Sequence, residues 1–204
     1  MERIGVYGGT FNPVHNGHLH VMHEFIKRLG LSKILMIPTY KPPHKAEAQL
    51  ACSDDRMNMC RLAAKGDELL EISDIEIRRG GKSYTAETLS ELKKEYPNSQ
   101  LFLLMGEDMF VTLSHWRYPE LIFKNAVIAA APRSKDGLEK LEAMRRELER
   151  EYDARILFES ISFLDISSTE IRRRIKAGEN TGDMLPKSVE NYILTHKIYE
   201  GTKT

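Results

Sequence analysis

Short apolar runs alternate with helix-like segments along almost the whole chain, and this alternation constrains the fold more than any other feature. The four apolar residues between Lys33 and Pro38 are typical of a strand that is buried on both faces. Similar runs predict strands at 4–7, 69–77, 101–105 and 126–131 and near Ile156, while helices are predicted at 18–29, 53–64, 85–96 and 136–152, with two more closing the chain. We therefore expect a doubly wound, mostly parallel α/β sheet in three α/β/α layers with C-terminal helices.

Length and charge limit the class of protein further. The 204 residues suit one α/β domain (1–204, with a C-terminal helical portion at about 167–200) better than two. Thirty basic and thirty acidic residues cancel, so the net charge indicates neither nucleic acid nor a membrane surface as a partner. No leader or membrane-spanning apolar run is evident. Cys52 and Cys60 would lie about 12 Å apart along one helix, too far for a disulfide, so we expect reduced thiols in a cytoplasmic protein.

The segment GGTFNPVHNGHL at residues 8–19 connects the first predicted strand to the first predicted helix. The glycine pair at its start lets the backbone approach a bulky ligand, because neither Gly8 nor Gly9 has a Cβ atom. His15 and His18 lie one helical turn apart, which places both imidazoles on one side of the helix start. Since the N-terminus of a helix also favours anions, the segment predicts a site that handles phosphate.

A second segment, ISSTEIR at residues 166–172, follows the last predicted strand. Ser167 and Glu170 have the spacing of a capping box, so the simpler interpretation is a well-capped helix start. Three consecutive hydroxyl groups and Arg172 at a helix N-terminus can also bind a polyphosphate. Ligands of open α/β sheets bind beyond the carboxyl ends of the strands, where both segments lie. We therefore expect the two segments to meet at one ligand.

Together these segments resemble the motifs of a nucleotidyltransferase family with a Rossmann-like fold, the adenylyltransferases that join a mononucleotide to ATP. Within it the chain is similar to the bacterial nicotinate-mononucleotide adenylyltransferases over nearly its whole length. The matching motifs are PPHK at 42–45, SYTAET at 83–88 with Glu87 where Asp is usual, GED at 106–108, Leu113 and Trp116, and the closing segment 185–199. Asn12 stands where Asp is common, which leaves the role of that side chain open.

The resemblance implies transfer of the adenylyl group of ATP to nicotinate mononucleotide, which yields nicotinate adenine dinucleotide and pyrophosphate. The 5′-phosphate would attack the α-phosphorus directly, with Mg²⁺ bound through the substrate phosphates and no metal site in the protein. The implied catalytic residues are His15, His18 and Arg172. The implied ATP-binding residues are Gly8, Gly9, Thr10, Phe11, Gly106, Asp108, Arg133, Ser167, Ser168 and Thr169. The implied mononucleotide-binding residues are His44, Lys45, Tyr84, Thr85 and Trp116. Neither nucleic acid nor a membrane is expected as a partner, and a homo-oligomer is compatible with the sequence.

Several other interpretations are weaker. Trp116 could be an ordinary core residue, although the surrounding matches favour stacking on the pyridine ring. Four histidines between residues 15 and 23 suggest zinc, but no Cys, Asp or Glu lies nearby at ligand spacing. The run Gly81-Lys82-Ser83 resembles the end of a P-loop, yet Glu76 stands where that motif needs glycine.

Two alternative functions remain open at this point, a sibling enzyme and a nucleotide sensor. A sibling enzyme acting on nicotinamide mononucleotide or phosphopantetheine, or transferring cytidylate to an alcohol phosphate, would also need both phosphate segments. It would not explain the SYT and PPHK segments together with Trp116. A catalytically silent nucleotide sensor would not require both His15 and His18.

Overall fold

A computed structural model describes residues 1–42, 50–132 and 138–200, except for the side chain of Lys140. Every strand pairing is parallel, and the strands form one six-stranded sheet in the order β3-β2-β1-β4-β5-β6. The expected doubly wound α/β fold is confirmed. The strands are β1 (Arg3–Gly9), β2 (Lys33–Pro38), β3 (Leu70–Ile72), β4 (Gln100–Gly106), β5 (Val127–Ala131) and β6 (Ile156–Phe158).

Helices connect successive strands and close the chain. Gly30 ends α1 in the left-handed conformation (φ 58°), and its N–H donates to the carbonyl of Ile26, so the predicted stop at this glycine is confirmed. The helices within the described ranges are α1 (Asn16–Leu29), α2 (Ser53–Ala63), α3 (Ile75–Arg79), α4 (Thr85–Glu95), α5 (Glu107–Phe110), α6 (Pro119–Asn125), α7 (Leu138–Tyr152), α8 (Ser168–Ala177) and α9 (Lys187–Thr195), with short 3-10 helices at Leu113–His115 and Gly182–Met184. None of these helices is long and apolar enough to cross a membrane.

The predicted strand at 69–77 is wrong in its second half. Strand β3 ends at Ile72, and residues Ile75–Arg79 form α3. Ile75 and Glu76 lie in the first turn of this helix, and both are buried. The carbonyl of Asp74 accepts from the N–H of Arg78 (2.8 Å), and its carboxylate binds the Arg78 guanidinium (2.7 Å). Local hydrogen bonding of an Asp at a helix start therefore ends the strand.

Two apolar clusters cover the two faces of the sheet. In β2, Ile34 and Met36 belong to one cluster, while Leu35 and Ile37 belong to the other. This alternation confirms that a continuous apolar run can mark a strand buried on both faces. Helices α1, α2, α8 and α9 contribute to the first cluster, and α4, α6 and α7 contribute to the second, so the molecule has three layers.

All strands end at the same edge of the sheet because they are parallel. The chain proceeds from β1 to β2 and β3 in one direction, and from β4 to β5 and β6 in the other. The order therefore reverses between β1 and β4, and such a reversal opens a crevice where ligands of doubly wound folds bind. The end of β1 at Gly9 and the end of β4 at Gly106 both lie at this crevice.

Candidate active site

The loop that follows β1 leaves open space beside Gly8. A Cβ atom on Gly8 would meet nothing within 4 Å, whereas one on Gly9 would lie 3.0 Å from the ring of Phe11. Phe11 is only 2% exposed and adopts a positive φ of 46°, so its side chain packs into the core beneath the loop. If Phe11 contacts a ligand, its backbone must make that contact. The loop therefore presents an accessible backbone to the crevice at Gly8.

His15 and His18 stack on each other at the start of α1. Their ring centroids are 3.7 Å apart with 27° between the planes, and the backbone N–H of His15 donates to Nδ1 of His18 (3.3 Å). The N–H of His18 in turn donates to the carbonyl of His15 (2.9 Å). Tyr7 and Phe11 pack edge-on against the His18 ring. The prediction that both imidazoles share one side of the helix start is confirmed.

Burial keeps His15 neutral. The residue is 6% exposed, and this desolvation lowers the pKa of its imidazole to about 4. Its Nδ1 atom is buried and has no hydrogen-bond partner within the described residues. A neutral imidazole can donate one N–H to a phosphate oxygen.

The second phosphate segment reaches this loop directly. Ser168 Oγ donates to the carbonyl of Pro13 (2.9 Å), and Arg172 Nη1 donates to the carbonyl of Asn12 (2.8 Å). Ser167 caps α8 by accepting from the N–H of Glu170 (3.2 Å), as its spacing predicts. The two segments are therefore in contact, as the sequence predicts, while the ligand that they would share stays a prediction.

Arg56 is a site residue that sequence reasoning missed. It is 1% exposed, and its guanidinium donates to the carbonyls of Thr10 (2.9 Å), Tyr40 (3.1 Å) and Ala51 (3.1 Å). It therefore connects the loop after β1 to the loop after β2 and to the start of α2. A charged residue one turn into an acidic helix start resembles a surface residue, and no local signal distinguishes it.

Three side chains donate hydrogen bonds to backbone carbonyl oxygens of the loop after β1. Arg56 binds the carbonyl of Thr10, Arg172 binds that of Asn12 and Ser168 binds that of Pro13. Each of these partial negative charges is thus compensated within the protein. Together with the positive end of α1, this compensation makes the loop favourable for an anion.

The SYT segment lies beside the loop after β2. Ser83 is buried, its hydroxyl accepts from the N–H of Tyr40 (3.0 Å), and its own N–H donates to the carbonyl of Lys41 (3.0 Å). Tyr84 and Thr85 begin α4. The predicted contacts His44 and Lys45, which follow the same loop, lie outside the described residues, as does Arg133.

A buried carboxylate supports the SYT segment. Glu76 is 7% exposed, and burial raises the pKa of its carboxyl, although hydrogen bonds from Ser83 and Thr88 oppose this shift. The Thr88 hydroxyl donates to Glu76 (2.8 Å) and accepts from Arg79 (2.9 Å). Sequence reasoning used Glu76 only to reject a P-loop and missed this role.

Trp116 lies next to the SYT segment. It is half-buried against the second apolar cluster, and its indole N–H donates to Thr112 Oγ1 (3.1 Å). The neighbouring Arg117 guanidinium lies 4.6 Å from the centroid of the Tyr84 ring, which brings the two segments together. A satisfied indole N–H fits the core interpretation, and a partly exposed ring leaves room for stacking, so the stacking role stays a prediction.

The remaining predicted residues are distributed around the same edge. Gly106 ends β4, and Asp108 is exposed in the first turn of α5. His20 contacts the carbonyl of Ser162 (2.7 Å) and His23 contacts Asp67 (2.6 Å), so each has a partner of its own. Across residues 1–42, 50–132 and 138–200 no group of three or more His, Cys, Asp or Glu side chains could hold a metal ion.

Comparison with known proteins assigns this arrangement to a class. The chain belongs to the cytidylyltransferase-like family, whose pattern matches residues 6–174. A probable nicotinate-nucleotide adenylyltransferase of Clostridium tetani is 35% identical over 98% of this chain and 100% of its own length, and one of Neisseria meningitidis is 37% identical with the same coverage. Within the family, the chain thus belongs to the nicotinate-nucleotide adenylyltransferases.

Solved structures show the same fold. The Plasmodium falciparum nicotinic acid mononucleotide adenylyltransferase complexed with NaAD aligns with a TM-score of 0.77 over 98% of both chains, at 18% identity. The same enzyme complexed with APC aligns with a TM-score of 0.73 over 98% of both chains, at 17% identity.

Proposed function

We propose that this protein transfers the adenylyl group of ATP to nicotinate mononucleotide and releases pyrophosphate, as the names of its relatives state for them. The observation that carries the proposal is the union of the two phosphate segments, in which Ser168 and Arg172 bind the loop that leads into the stacked histidines. Both segments thereby face one crevice.

In the ATP half of the reaction, the protein compensates the negative charge of the phosphates and needs no strong base to activate the nucleophile. The phosphate of the acceptor is already a nucleophile, so the protein has to position two polyanions and stabilise the charge that develops on the α-phosphate. We assign hydrogen bonding to that phosphate to His15 and His18. We assign binding of the β- and γ-phosphates to four residues of the second segment, namely Ser167, Ser168, Thr169 and Arg172. Mg²⁺ would be bound through the substrate phosphates, whose oxygens are the ligands it prefers.

The mononucleotide half involves the segments next to β2 and β4. Tyr84, Thr85 and Trp116 would bind the pyridine ring and its carboxylate, and His44 and Lys45 would bind the 5′-phosphate. Gly106 and Asp108, which belong to the ATP half, would contact the adenosine of ATP. Both cysteines are free thiols, which suits a reaction in the cytoplasm.

Pyrophosphate release from ATP and Mg²⁺ with three acceptors in parallel tests the proposal. The acceptors are nicotinate mononucleotide, nicotinamide mononucleotide and phosphopantetheine. We expect the highest kcat/KM with the nicotinate form. Activity with phosphopantetheine alone would keep the phosphate chemistry and contradict the assignment of the SYT segment and Trp116. Lack of release with all three would favour a nucleotide sensor.

A further inference from the structure

We infer that Tyr199 is a positioning residue for the ATP-binding loop and acts through Asn12. The Tyr199 hydroxyl donates to Oδ1 of Asn12 (2.7 Å), across a separation of 187 residues. The same oxygen accepts from the N–H of Ala51 (3.0 Å), and Asn12 is 5% exposed. The segment after α9 thus holds the centre of the loop between β1 and α1. This inference rests on the adenylyl transfer proposed above.

Asn12 connects Tyr199 to Arg172. Its side chain accepts from Tyr199, while its backbone carbonyl accepts from Arg172 Nη1 (2.8 Å). A shift of the Asn12 side chain therefore moves the carbonyl that orients the guanidinium assigned to the polyphosphate. The neighbouring Thr10 carbonyl is held in the same way by Arg56. Tyr199 completes the set of side chains that fix this loop.

The Tyr199 hydroxyl is suited to act as a permanent donor. Burial raises its pKa well above the ordinary tyrosine value, although the charges of Arg172 and Arg56 lower it in part. The hydroxyl therefore stays protonated at neutral pH and donates to Asn12 throughout the working range. Position 12 needs an oxygen that accepts two hydrogen bonds. Asn and Asp can both provide one, which explains why Asn12 can stand where Asp is common.

A packing role alone is the competing explanation, since the Tyr199 ring also contacts the first apolar cluster. Tyr192 on α9 provides a matched control. It contacts the same cluster, and its hydroxyl donates to Asp55 (2.9 Å) and accepts from Asn58 (3.1 Å). Tyr199→Phe and Tyr192→Phe each remove one hydrogen-bonded hydroxyl and leave the ring, but only the first removes a bond to the loop.

Steady-state kinetics of the two variants distinguish the explanations. For Tyr199→Phe we expect kcat to fall about 5- to 30-fold, which corresponds to about 1–2 kcal/mol in the activation barrier, with KM for the mononucleotide within about twofold of wild type. For Tyr192→Phe we expect kcat within about twofold of wild type. Both variants should show a similar fall in Tm, because each loses a hydrogen-bonded hydroxyl group. An unchanged kcat in Tyr199→Phe, or equal losses in both variants, would overturn the inference.

A double-mutant cycle tests the path through Asn12. If Tyr199 acts through this side chain, Tyr199→Phe should lower kcat by less than about twofold in an Asn12→Ala background. In an Asn12→Asp background, which keeps the acceptor oxygen, Tyr199→Phe should again lower kcat about 5- to 30-fold. If the fold-losses in kcat from Tyr199→Phe and Asn12→Ala simply multiply in the double variant, Tyr199 does not act through Asn12. Because Tyr199 belongs to the ATP half, the cycle is equally valid with any acceptor that the wild-type enzyme uses, so a wrong acceptor assignment cannot be mistaken for failure of the inference.

Discussion

At the scale of single residues, the site depends on two imidazoles in different environments. His15 is buried, neutral and unpaired at Nδ1 within the described residues, while His18 is half-buried and packs against Tyr7 and Phe11. Their stacking at 3.7 Å fixes both rings before substrate arrives. A donor that is fixed in advance stabilises developing charge without reorganisation, which is the largest contribution in many phosphate-transfer sites.

Substitution of His18 by alanine should therefore affect the chemical step more than binding. We expect His18→Ala to lower kcat about 100-fold with a modest change in KM for ATP, because the hydrogen bond matters most in the transition state. His23→Ala is the matched control, since His23 lies on the same helix and binds Asp67. Equal kcat values for His18→Ala and wild type would exclude His18 from the mechanism.

The low pKa of His15 makes stability depend on pH. Its pKa of about 4 in the folded protein lies below the ordinary value of 6.5, so the unfolded chain binds more protons between these values. Stability should rise with pH across this window, and about 1–2 kcal/mol should be lost between pH 7 and pH 5. Urea unfolding of wild type and His15→Gln at both pH values measures this difference. A loss of the same size in the variant would assign it to other groups.

At the scale of elements, Arg56 joins three segments that belong to different parts of the fold. Its hydrogen bonds to the carbonyls of Thr10, Tyr40 and Ala51 link the loop after β1, the loop after β2 and the start of α2. The first two loops lead to the proposed ATP-binding and mononucleotide-binding residues. One buried guanidinium thus sets the distance between the two halves of the site.

We expect Arg56→Lys to impair both halves, because an ammonium group cannot reproduce the planar arrangement of guanidinium donors. The free energy of unfolding should fall by about 1–3 kcal/mol as buried carbonyls lose partners. KM should rise for both ATP and the mononucleotide. Arg61→Lys, on the last turn of the same helix, should leave stability and kinetics near wild type, since Arg61 is exposed and binds only Asn58 (3.4 Å) within the described residues. A selective effect of Arg56→Lys on one substrate would contradict this linking role.

The sequence predicts those elements whose causes are local. Glycines at a strand end, a histidine spacing and a capping serine place α1 and α8 correctly. The strand predicted at 69–77 fails because apolar residues spaced by two or three fit both a strand and a short helix, and only the hydrogen bonds of Asp74 decide. Arg56 and Tyr199 could not be found in this way, since their partners lie up to 46 and 187 residues away.

At the scale of the whole molecule, β1 serves both the core and the site. It lies in the middle of the sheet between β2 and β4, its first half is buried between the two apolar clusters, and its last two residues open onto the crevice. The central place of β1 in the strand order buries Gly5 in the sheet. The reversal of that order between β1 and β4 opens the crevice at the other end of the strand, beside Gly8 and Gly9. Core and site can therefore be separated within one strand.

Two glycine substitutions in β1 should separate them. A Cβ atom on Gly5 would lie 2.7 Å from Ile34 and 2.9 Å from both Leu31 and Leu104, so Gly5→Ala should lower the free energy of unfolding by about 1–3 kcal/mol through overpacking. This corresponds to a fall in Tm of about 3–10 °C for a chain of this size. Gly8→Ala places the same atom in open space, so its Tm should stay at the wild-type value. Its KM for ATP should nevertheless rise several-fold, because the new methyl group occupies the open space beside Gly8, where the resemblance implies that ATP binds. Thermal unfolding and ATP titration of both variants test this division, and a Gly8→Ala protein with wild-type KM would place the phosphates elsewhere in the crevice.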